Sequence, residues 1–94
     1  MNNYENMVIL NPELDDETVQ RIVDRVKNIV EGKNGKMDAI EKHGRKRLAY
    51  KVGKFNEGLF LQFVYTADPL CIKDIEKSYR LDDSVLKFSI LRTK

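Results

Sequence analysis

A chain of 94 residues, 41% hydrophobic and 34% charged, has material for one globular core. Its single cysteine and single histidine exclude an intrachain disulfide and the multi-Cys or multi-His metal clusters. A net charge of +2 names no partner, so where the charges sit matters more than their sum.

No apolar run approaches the roughly 20 residues needed to cross a bilayer, and the start "MNNYENMVIL" lacks the basic region of a signal peptide. The lone thiol fits a reducing, cytoplasmic compartment.

Residues 4–10, "YENMVIL", read as a first strand whose apolar second half places it centrally in a sheet. "NPELDDE" breaks that pattern and opens a helix. Asp15 is the expected N-cap, with Asp16 and Glu17 in the first turn where the helix dipole favours negative charge. Leu14 and Val19 have the spacing of a hydrophobic staple. Val19, Ile22, Val23, Val26, Ile29 and Val30 form one amphipathic stripe, and Gly32 or Gly35 is expected to end the helix in the left-handed conformation.

Residues 36–52 are long for one strand, and Gly44 divides them. Leu48, Tyr50 and Val52 alternate with Arg47, Ala49 and Lys51, so one face is apolar and the other mostly basic. On this parity Tyr50 reads as a core aromatic, while Arg45 and Arg47 face outward. "GKFNEG" reads as a turn, and "LFLQFVYTA", 59–67, as the strongest strand. Asp68 followed by Pro69 starts a second helix, whose buried stripe is Leu70 or Cys71 with Ile72, Ile75 and Tyr79. "VLKFSILR", 85–92, is a last strand.

The order β-α-β-β-α-β predicts an α+β, ferredoxin-like two-layer sandwich spanning 1–94 as a single domain. A four-stranded antiparallel sheet carries both helices on one face. The other face, with Met7, Ile9, Phe60, Gln62, Val64, Lys87 and Ser89, is left uncovered and partly apolar.

The segment "KHGRKRLAYK" carries the strongest functional signal. Lys42, Arg45, Lys46, Arg47, Lys51 and Lys54 crowd one hairpin arm, a pattern suited to phosphate contacts. The same charges also suit an edge strand guarded against aggregation. Arg80, Lys87, Arg92 and Lys94 form a second basic region, in which Arg80 could equally pair with Asp82 or Asp83. Tyr4 caps the core or stacks at its edge. No nucleophile stands near His43, and no phosphate-binding glycine loop occurs, so no catalytic residue is assigned.

Three segments resemble the bacterial small-subunit ribosomal protein six family: "YENMVILNPEL", "HGRKRLAYKV" and "YRLDDSVLKFSILR". Their order covers essentially the whole chain. The resemblance implies a structural protein without catalysis, cofactor or small-molecule substrate. It would bind the central domain of small-subunit ribosomal RNA, on the platform, together with small-subunit ribosomal protein eighteen. The implied RNA- or partner-binding candidates are Arg45, Lys46, Arg47, Tyr50 and Lys51, then Tyr4, Arg80, Lys87 and Arg92. His43 stands where many members have Trp, Lys51 where many have Pro, and Asn6 where an aliphatic residue facing the helices is expected. The alternative is a ferredoxin-like regulatory or ligand-binding module that dimerises through its sheet. An acylphosphatase-type hydrolase of the same topology would need an arginine after the first strand, where this chain has "NPELDDE".

Overall fold

The computed structural model describes residues 1–93. Its elements are β1 (Asn2–Leu10), α1 (Asp16–Gly32), β2 (Lys36–Val52), β3 (Phe55–Ala67), α2 (Pro69–Leu81) and β4 (Val85–Arg92). The strands form one sheet in the order β2-β3-β1-β4, each neighbouring pair antiparallel. This is the expected ferredoxin-like arrangement.

The alternation in β1 shows which face the helices cover. Tyr4, Asn6, Val8 and Leu10 are buried, whereas Glu5, Met7 and Ile9 are only half-buried. Leu61, Phe63, Tyr65 and Ala67 repeat the pattern in β3 and join Val19, Ile22, Val23, Val26 and Val30 of α1 in one core. Apolar side chains at two-residue spacing in the strands thus meet side chains at three- and four-residue spacing in the helix.

Both helix starts follow the capping rules. The Asp15 carboxylate accepts from the Thr18 N–H at 2.8 Å, and these bonds hold its pKa below the usual carboxylate value. The Asp68 carboxylate accepts from the Leu70 N–H at 2.9 Å, with Pro69 at the first helical position. Cys71, Ile75 and Tyr79 form the buried stripe of α2, whereas Leu70 is 66% exposed. Burial pushes the Cys71 thiol pKa up, as expected of a structural cysteine.

The end of α1 differs from expectation. Asn34, with φ 63°, takes the left-handed conformation, and neither Gly32 nor Gly35 does. Gly35 is required for a different reason. A Cβ there would lie 2.6 Å from the Val30 carbonyl oxygen and 2.9 Å from that of Thr66. Two strand boundaries also shift: β2 runs unbroken through Gly44, and β3 begins at Phe55, reducing the turn to Gly53 and Lys54.

Asn6 faces the helices, as its parity requires, and is fully buried. Its amide nitrogen donates to the Tyr79 hydroxyl at 2.8 Å, and its amide oxygen accepts from the Tyr65 hydroxyl at 2.9 Å. Burial raises both phenol pKa values well above the ordinary range, so both rings stay neutral. Asn6→Ala strands both hydroxyls in the core and should lower the unfolding free energy by about 3 kcal/mol. Urea titration at unchanged m-value checks this; a loss under about 0.5 kcal/mol would contradict it.

Candidate nucleic-acid interface

The β2–β3 hairpin carries most of the candidate residues. Its turn is Gly53–Lys54, with Gly53 at φ 57°. The pairing shifts register between Met37 and Ala39, between Lys42 and Gly44, and between Arg47 and Val52. Gly44 belongs to the second shift. It adopts φ 81°, and a Cβ there would meet no heavy atom within 4 Å, so backbone conformation alone calls for glycine.

After Gly44 the triplet divides between the two faces. Arg45 opposes Leu59 and Arg47 opposes Glu57, on the side that the helices cover elsewhere, whereas Lys46 opposes Gly58 on the open side. The Arg45 guanidinium donates to the Pro12 carbonyl at 2.6 Å and lies 3.4 Å from a Glu57 carboxylate oxygen. Arg45 is therefore tied down rather than simply facing outward. Arg47 is exposed and has no ion pair among the described residues. Arg45, Arg47, Lys54, Pro12 and Glu57 line a cleft of about 350 Å³ between the arm and the β1–α1 connection.

The parity reading of Tyr50 as a core aromatic is corrected. Tyr50 is 83% exposed, and Leu48 and Val52 are only half-buried. Leu48, Tyr50 and Val52 do share surroundings, but these are the open sheet face. With Ile9, Phe60 and Lys87 they line a groove of about 230 Å³. Gly58 permits this approach, because a Cβ there would collide with the Ile9 side chain and lie 3.7 Å from a Leu48 methyl.

The open face also carries a polar chain across three strands. The Gln62 amide nitrogen donates to Glu5 at 2.6 Å, which leaves its oxygen to accept from His43 Nε2 at 2.8 Å. Lys87 lies in the row Lys87–Ile9–Phe60–Gly44 that crosses this face.

The remaining candidates lie elsewhere. Tyr4 is 6% exposed and stacks in the core, its ring centroid 5.8 Å from that of Tyr65, so it offers no stacking surface. Arg80 on α2 pairs with Glu76 one turn back, not with Asp82 or Asp83. Asp82 instead binds Arg25 and the Ser84 N–H; burial raises its pKa, but these bonds outweigh that and lower it. Arg92 is exposed at the end of β4, opposite Tyr4. Lys94 lies outside the described residues. The arm thus brings together Arg45, Lys46, Arg47, Tyr50 and Lys51, joined by Lys87 across the groove, and leaves Tyr4, Arg80 and Arg92 apart. Among the described residues no cluster of His, Cys, Asp or Glu could hold a metal ion, and no helix is long and apolar enough to cross a membrane.

The model of the family described as Ribosomal protein S6 matches residues 3–92. This chain belongs to the ribosomal protein S6 family. The small ribosomal subunit protein bS6 of Clostridium novyi is 33% identical over 91 residues, covering 97% of this chain and 96% of that one. Its counterpart in Mycobacteroides abscessus is 38% identical over 93 residues, covering 99% and 97%. The crystal structure of 30S ribosomal protein S6 from Thermotoga maritima matches with a TM-score of 0.89 at 32% identity, covering 97% of this chain and 86% of that one.

Because Gly44 sets the register of the triplet on an S6 fold, Gly44→Ala should cost about 1–2 kcal/mol through backbone strain alone. Gly32→Ala is the control: it lies at the end of α1, where a Cβ meets nothing within 4 Å, and should be neutral or slightly stabilising. Thermal melts of the two variants check this; equal effects would contradict it.

Proposed function

We propose that this chain is a structural constituent of the small ribosomal subunit in the bacterial cytoplasm, where it binds the central domain of the small-subunit ribosomal RNA on the platform together with small-subunit ribosomal protein eighteen. The observation that carries this reading is the β2–β3 arm. In a chain of the S6 family, it gathers Arg45, Lys46, Arg47, Lys51 and Lys54 on a hairpin whose outer half lies beyond the buried core.

The two sides of the arm suit different partners. Its cations suit phosphates, which position a protein on folded RNA while shape supplies specificity. The groove lined by Ile9, Leu48, Tyr50, Val52 and Phe60 is largely apolar and suits a protein surface, here proposed for protein eighteen. Lys87 and Arg92 are secondary contacts in this reading, while Arg80, paired with Glu76 on α2, lies apart from the arm. The fold acts as a rigid mount and performs no chemistry.

A net charge of +2 supplies little long-range attraction, so binding alone should be weak and salt-sensitive, and a basic partner should strengthen it. Measuring affinity for a central-domain RNA fragment with and without protein eighteen checks this. Tighter binding with the partner is expected; equal affinities would contradict the paired reading.

A further inference from the structure

We propose that the cleft between the β2–β3 arm and the β1–α1 connection is a seat for an RNA backbone phosphate, with Arg47 and Lys54 as its cationic ligands and Arg45 as the positioning residue that holds it in shape. This rests on the RNA-binding reading above and divides the basic triplet into different roles.

The hydrogen bonds carry the argument. The Arg45 guanidinium is committed twice, to the Pro12 carbonyl at 2.6 Å and to Glu57 on the neighbouring strand. The first bond links the arm to the β1–α1 connection. That connection is itself held: the Asn11 N–H donates to the Ser84 carbonyl at 2.8 Å, and the Asn11 side chain accepts from the Glu13 N–H at 2.9 Å. Arg45 therefore braces a long hairpin against a fixed point of the sheet.

Arg47 follows two residues later on the same face, and the hairpin turn brings Lys54 to the same cleft. Neither has an ion pair among the described residues. The Lys54 ammonium lies 5.5 Å from the centre of the Phe55 ring, which restrains its long stem. An arginine fork beside a lysine point charge is a donor set suited to a phosphate. Two acids also line the cleft. Glu57 is engaged by Arg45, while Glu13 remains and opposes any anion, so the seat needs both free cations.

A bracing residue and a phosphate ligand differ in their salt signature. Losing a ligand lowers the slope of log affinity against log salt by about 1, whereas losing a brace weakens binding with the slope unchanged. The experiment uses the full chain with protein eighteen and a central-domain RNA fragment over a salt series. Amide exchange of residues 46–57 is measured on the free protein.

Arg47→Ala and Lys54→Ala should each lower the slope by about 1 without changing exchange. Arg45→Ala should weaken binding several-fold at constant slope and speed exchange across the arm. An Arg45→Ala variant that lowers the slope like Arg47→Ala, with exchange unchanged, would overturn the bracing role. Unaltered slopes in both Arg47→Ala and Lys54→Ala, while the wild type binds, would overturn the seat and leave RNA binding intact. A wild type that fails to bind the RNA with protein eighteen would instead overturn the functional reading, and the exchange data would still decide the bracing.

Discussion

Asn6 sits fully buried where β1, β3 and α2 meet, and its amide is satisfied only there. A buried amide without partners costs more than a typical hydrogen bond contributes, so this one position discriminates sharply among registers. Sliding β1 by a single residue would turn Asn6 onto the open face and strand the Tyr65 and Tyr79 hydroxyls in the core. The apolar residues around it supply most of the burial but would tolerate neighbouring arrangements more readily. The polar triad is what ties the two central strands and the second helix to a single alignment.

That alignment determines what the arm presents. With β3 fixed against β1, the outer part of the β2–β3 hairpin extends beyond the helices. Side chains on the helix-side parity then meet a cleft where, nearer the sheet centre, they would meet core. Arg45 and Arg47 take this position, while Leu48, Tyr50 and Val52 turn toward the uncovered sheet face. One hairpin therefore offers a cationic surface on one side and an apolar groove on the other. On the proposed reading, the same two strands would meet a phosphate backbone on one side and a protein surface on the other.

Much of this was legible from the sequence because it is encoded locally. Asp15 announces α1, and Asp68 with Pro69 announces α2; each cap is formed by residues within three positions of one another. The alternation of β1 and β3 likewise specifies which side chains share a face. Alternation does not say which face is covered, and that is why Tyr50 read as core. It shares the parity of Leu48, but after Gly44 that parity lies on the uncovered sheet face, where no helix packs. The end of α1 is not legible in this way, because glycine is the usual left-handed residue and two are available, whereas Asn34 takes that conformation and Gly35 serves a close backbone approach. The Asn6 triad and the bond from Arg45 to the Pro12 carbonyl join residues far apart in the chain, and neither leaves a spacing signal.

On the proposed function, the arm rather than the outer surface of α2 is covered in the assembled particle. Lysine acylation of this chain, free and within assembled small ribosomal subunits, measures that directly, because Lys46, Lys51 and Lys54 report on the arm and Lys73 and Lys77 on α2. The three arm lysines should lose reactivity on assembly while the two α2 lysines keep it. Arm lysines as reactive in the particle as in the free chain, with Lys73 and Lys77 protected, would contradict it.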